Sequence, residues 1–101
     1  MDKTCPITKT IDYLGKKWTL LILKELHDNK KRRFNYLING MNGISPRTLS
    51  KRLKELKKQK LVSRKKFNET PPRVEYSLTK KGNELLKCFK YINDWAKKFE
   101  T

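Results

Sequence analysis

The sequence predicts a mainly α-helical domain with one small β-hairpin, and three observations carry that reading. Apolar residues recur at helical spacing from Ile7 to Leu56 and again from Leu85 to Phe99. Between them Val74, Tyr76 and Leu78 alternate with polar residues, the period of a half-buried strand. The pair Ser45-Pro46 marks a helix start, since serine accepts an unpaired amide at the N-cap and proline suits the first helical position.

Taken in order, Ile7, Ile11 and Leu14 fall at i, i+4, i+7 and predict a short first helix ending at Gly15. In the second helix Trp18, Leu21, Ile22 and Leu26 are expected to form one face while Leu20 and Leu23 point away, so that it is buried on two sides. After Asp28-Asn29 and the basic run Lys30 to Arg33, the set Phe34, Leu37 and Ile38 predicts a two-turn helix, and Gly40 to Gly43 a loop. The helix that Ser45 caps holds Leu49, Leu53 and Leu56 within a narrow arc at 100° per residue, with Arg47, Lys51, Lys54 and Lys58 opposite. Residues 61–67 and 73–78 predict the two hairpin strands, joined by a projecting tip Asn68 to Pro72 in which Pro71 and Pro72 offer no ladder donors. Thr79 then caps a last helix whose stripe Leu85, Phe89, Ile92, Ala96 and Phe99 is widened by Cys88, Tyr91 and Trp95, with Cys88 expected in the core.

Charge is sharply segregated. The 101 residues carry 26 Lys or Arg against 10 Asp or Glu, a net +16, and residues 30–66 alone hold 14 cations and one acid, Glu55. That segment supplies +13, whereas the flanks mix both signs. A single-sign field of this kind attracts a polyanion and speeds association with it.

Helix, helix, short helix, loop, capped basic helix, hairpin and helix is the order of a winged helix-turn-helix. A major groove about 12 Å wide admits one α-helix whose N-terminal residues reach base edges. Ser45, Pro46, Arg47, Thr48, Ser50 and Lys51 open that helix, and Arg52 and Lys54 extend its basic surface. Arg47 has the donors for guanine O6 and N7; Thr48 and Ser50 are short donor-acceptors that allow close approach, or else simply solvent-facing hydroxyls. Arg32 and Arg33, before the positive N-terminus of the short helix, are candidate phosphate contacts, and Arg64, Lys65, Lys66 and Arg73 on the hairpin are candidate minor-groove contacts, opposed locally by Glu69 at the tip.

The chain resembles the HxlR-type family of winged helix-turn-helix transcriptional regulators, relatives of the MarR type. The resemblance runs from Cys5 to about Trp95 and rests on Cys5-Pro6, Gly15-Lys16-Lys17-Trp18-Thr19-Leu20-Leu21-Ile22-Leu23, Arg33-Phe34, Gly43-Ile44-Ser45-Pro46-Arg47-Thr48-Leu49-Ser50, Arg52-Leu53, Pro71-Pro72-Arg73-Val74-Glu75-Tyr76-Ser77-Leu78-Thr79 and Gly82. It implies a homodimer built through N- and C-terminal helices on inverted-repeat double-stranded DNA, with the Ser45 helix as reader and the hairpin as wing. The surplus apolar surface agrees, because a domain this small buries a modest share of its own area. Ile7, Ile11, Leu20, Leu23, Phe89, Ile92, Trp95 and Phe99 are the candidate interface residues. The resemblance also implies a sensor of oxidants, quinones or aldehydes at Cys5. A thiol there gains reactivity if the helix dipole and Lys3 or Lys9 lower its pKa; the alternative is a small residue at the dimer seam.

Other classes find less support. A single His27 and scattered carboxylates form no converging acid, base or nucleophile set, so no catalytic residue is expected. Two cysteines, Cys5 and Cys88, have no zinc-ligand spacing, and no metal or cofactor is expected. The longest apolar run, Leu20 to Leu23, is far below a membrane span, and the N-terminus lacks a secretory pattern, so a cytoplasmic protein of one domain, residues 1–101, is expected. Trp18, Tyr91 and Trp95 either line an effector cavity or pack as aromatics. An architectural or RNA-associated protein that binds by charge alone shares the composition without needing a capped reader helix.

Overall fold

A computed structural model describes residues 6–29 and 31–100. Cys5, the candidate sensor, and Lys3 lie outside the described residues. Helix α1 (Pro6–Leu14) closes at Gly15, whose N–H donates to Ile11 O at 2.8 Å. Any side chain at Gly15 would collide there, because its Cβ would stand 2.8 Å from the same oxygen.

Trp18 has φ of 81°, and its carbonyl accepts the Ile22 N–H at 2.9 Å, so α2 (Thr19–Asn29) starts just after it. That left-handed backbone removes Trp18 from the helix and redefines which side faces inward. Thr19, Ile22, Leu23 and Leu26 are buried, while Leu20 and Leu21 are exposed. The expected face containing Leu21 is therefore corrected. So is the expectation that Leu23 lines a subunit interface: it is sealed in its own protomer's core at 0% exposure.

The sheet has three antiparallel strands in the order β1-β3-β2, one more than the sequence suggests. Strand β1 (Lys31–Arg33) pairs Arg32 with Tyr76 and Arg33 with Glu75, and β2 (Val62–Phe67) pairs Arg64 with Tyr76 and Lys65 with Glu75. Strand β3 (Arg73–Leu78) thus lies in the centre. The three basic residues of β1 have no strand pattern of their own; their extended state comes from pairing to β3, and cationic side chains suit an edge strand.

Helix α3 (Phe34–Gly40) buries Leu37, and the following loop carries Met41 and Ile44 into the core. Helix α4 (Pro46–Lys58) buries Leu49, Leu53 and Leu56 as its spacing predicts. These pack with Ile22, Leu23 and Leu26 of α2, and with Leu61, Val62 and Leu86, into one apolar cluster.

The expected single C-terminal helix is two, α5 (Lys80–Leu86) and α6 (Phe89–Phe99). Thr79 caps α5, its Oγ1 accepting the Gly82 N–H at 3.1 Å and donating to Lys60 O at 2.6 Å. At the joint the Lys87 and Cys88 amides bond three residues back, to Glu84 O and Leu85 O, which tightens the chain and breaks the α pattern. Leu85 and Phe89 still pack on the core, but Cys88 is exposed rather than buried. Helices α1 and α6 bury no residue completely, and Ile7, Ile11, Tyr91, Ile92, Trp95 and Phe99 all stand exposed.

Candidate nucleic-acid interface

The surface is organised around α4. Ser45 has an extended backbone, φ −86° and ψ 154°, and its hydroxyl accepts the Thr48 N–H at 3.1 Å. Pro46 follows at the first helical position, where no amide is needed. The buried Leu49, Leu53 and Leu56 then turn Arg47, Lys51 and Lys54 outward, where all three are exposed.

One flank of α4 opens towards the sheet. Ser50, Lys54 and Lys57 succeed one another at i, i+4, i+7, and with Leu53, Arg64 and Tyr76 they line an open crevice of about 370 Å³. Three cations and two hydroxyls converge there with no acid among the lining residues. Neither Lys57 nor Tyr76 is among the contact residues the sequence suggests. The spacing of Lys57 from Ser50 could have found it, whereas Tyr76 enters only because the register sets it opposite Arg64.

The other flank is tied down. Arg52 donates through Nη1 to Glu55 Oε1 at 2.6 Å and through Nε to Lys17 O at 3.2 Å, leaving its side chain 17% exposed. Lys16 Nζ reaches Glu55 Oε2 at 2.5 Å. The Lys16 hydrogen bond, with help from Arg52, holds the Glu55 carboxyl below its ordinary range. Arg52, expected on the DNA-facing surface, is thus turned to the protein itself.

On the wing, Arg64 and Lys66 share one face of β2 and Lys65 the other, where its ammonium lies 4.9 Å from the Phe67 ring centroid. Ser63, Arg64, Lys65 and Lys66 are all exposed. Arg73 is committed elsewhere: its guanidinium lies 4.0 Å from the Phe67 ring centroid and within 3.4 and 3.6 Å of the Glu69 and Glu75 carboxylates. Its guanidinium is thus engaged within the wing itself. Arg32 donates to Asn29 Oδ1 at 2.6 Å and lies over Tyr36, whereas Arg33 is exposed. Arg33 shares an open groove of about 470 Å³ with Asn35, the wing tip from Glu69 to Pro72, and the start of β3 at Arg73 and Val74.

The HxlR-like helix-turn-helix family profile matches residues 13–101. The chain belongs to that family. The HxlR-like chain is 40% identical over 95 residues to sll1512 of Synechocystis, an uncharacterized HTH-type transcriptional regulator, covering 90% of this chain and 70% of that one. A MarR-family transcriptional regulator from Porphyromonas gingivalis superposes with a TM-score of 0.88 at 35% identity, covering 98% of this chain and 96% of that one. The redox regulator HypR in its oxidized form gives 0.84 at 33% identity, covering 93% and 96%. HxlR-like proteins are transcriptional regulators of helix-turn-helix type, related to MarR, and not enzymes; the fold of this member is a winged helix. No helix among its described residues is long and apolar enough to cross a membrane.

Proposed function

We propose that this HxlR-like regulator acts in the cytoplasm as a homodimer that reads an inverted-repeat operator with α4. The observation that carries the proposal is the exposed cationic face of a helix whose start is capped by Ser45 and whose first turn presents Arg47. Arg47, Thr48, Ser50 and Lys51 address base edges, and Lys54, Arg64, Lys66 and Arg33 hold phosphates. Phosphate contacts supply salt-dependent affinity, while base contacts choose the sequence. The exposed apolar faces of α1 and α6 supply the dimer seam through Ile7, Ile11, Ile92, Trp95 and Phe99, extended by the exposed Leu20 and by Phe89, which is partly buried against the core.

Fluorescence anisotropy on the duplex upstream of its own gene, against random duplex at equal salt, tests this. Arg47→Ala is expected to relax discrimination and Lys66→Ala to weaken both duplexes alike. Equal affinity of the wild type for both duplexes would leave an architectural protein. A redox role for Cys5 follows the relative HypR. Mild oxidation is expected to change operator affinity in the wild type but not in Cys5→Ser.

A further inference from the structure

We propose that Lys16, Glu55 and Arg52 are positioning residues that fix the rotation of α4 against the α1–α2 turn and thereby set its sequence preference. This deepens the proposed DNA-reading function and rests on it.

Glu55 is the only acid among 15 charged residues in the segment 30–66, a poor choice for a polyanion-binding surface unless it serves another purpose. The structure supplies one. Thr48, Arg52 and Glu55 run at i, i+4, i+7 along the flank of α4 opposite the wing crevice, and both charged members engage residues 16 and 17. Lys16 reaches Glu55 with its side chain, while Lys17 offers its carbonyl to Arg52. The same turn meets the chain leading into α4, since a Cβ on Gly43 would lie 3.8 Å from Trp18 Cη2.

The turn itself is closely specified, by the φ of 81° at Trp18 and the lack of space at Gly15. A left-handed non-glycine backbone persists only where the surrounding structure over-determines it. Exposed ion pairs add little to stability, and the Lys16 and Glu55 side chains are 41% and 27% exposed. Their consequence is angular. The buried leucines set which side of α4 faces inward, yet a rotation of about 15° would carry a side-chain tip at a radius of about 5–6 Å through about 1.5 Å. That displacement takes a bidentate hydrogen bond out of range.

The test uses a duplex enriched by the wild-type protein from a randomised pool, and its scrambled counterpart. Glu55→Ala and Lys16→Ala change the net charge in opposite directions, so bulk electrostatics moves affinity for the scrambled duplex up in the first and down in the second. Loss of positioning moves the preference ratio the same way in both, down by about tenfold. Lys16→Arg, which keeps the pair, is expected to keep the ratio. Ratios unchanged in both alanine variants, or moving in opposite directions, overturn the inference.

Amide exchange at Gly15 and Thr19 judges the link without DNA. Faster exchange in both alanine variants supports it, and wild-type rates in both refute it. If the wild type enriches no sequence at all, the DNA-reading function falls and the positioning role falls with it, while the exchange result still decides whether the turn and α4 are mechanically joined.

Discussion

The Ser45 hydroxyl accepts the backbone N–H of Thr48 at 3.1 Å and donates its own proton to Thr48 Oγ1 at 2.9 Å. Ser45 is therefore occupied in starting α4, and Thr48 retains the hydroxyl proton that is free to point outward. Ser45 is thus committed to the cap, which leaves the Thr48 hydroxyl for the proposed contact with DNA. Ser45→Ala should lower stability by about 1 kcal/mol, the usual cost of a lost cap. Urea denaturation checks this: the midpoint should fall with an unchanged slope, and Thr48→Val should weaken DNA discrimination without a comparable drop in midpoint.

Gly82 offers a sharper test of packing. A Cβ there would stand 2.3 Å from Leu61 O, the oxygen that also accepts the Thr79 N–H at 3.0 Å. The obstacle is backbone, so it cannot swing aside. Gly82→Ala should destabilise the protein by about 1–3 kcal/mol despite alanine's better helix propensity. A thermal scan should register this as a fall of at least about 4 °C.

The Lys16–Glu55–Arg52 chain predicts a pH dependence of stability. Lys16 foremost, then Arg52, holds the Glu55 carboxyl below its ordinary value of 4.5, against the opposing effect of burial. A folded-state value below the unfolded one means the ionised form stabilises the fold. Its contribution is complete above 4.5 and disappears as the pH falls through the lower folded value. Chemical denaturation stepped downward from neutral pH should find wild type losing more stability than Glu55→Gln across that interval. Parallel curves for the two proteins would contradict the shift.

The apolar faces of α1 and α6 predict an oligomer. Trp95 and Phe99 pack on each other with ring centroids 5.7 Å apart, yet both remain more than half exposed in the protomer. Replacing Phe99 with glutamate removes no contact from the buried cluster but places a charge on that face. Sedimentation velocity should then show a dimer for wild type and a monomer for Phe99→Glu, with the helical circular dichroism of the protomer largely retained.

How much was legible in the sequence depended on how local each cause was. The Ser45 and Thr79 caps, the α4 stripe and the hairpin strands arise from residues a few positions apart, and each lies where its pattern predicts. Strand β1 was hidden, because three consecutive basic residues become extended only by pairing with a strand more than 40 positions later. Leu21 and Leu23 exchanged places because periodicity assumes that Trp18 is helical, and its backbone is not.

Among the candidate DNA contacts, Arg47, Lys51 and Lys66 stand exposed as their pattern suggested, while Arg52 and Arg73 are claimed by partners from elsewhere in the chain or the wing. By itself, then, the sequence determined the winged-helix family, the basic middle and the start of α4, because caps, periods and charge are properties of neighbours. Only the tertiary structure decided which cations remain available to a polyanion. A guanidinium's role depends on the acceptors that folding brings within hydrogen-bond reach, and for Arg52 one of those is Lys17 O, 35 positions away.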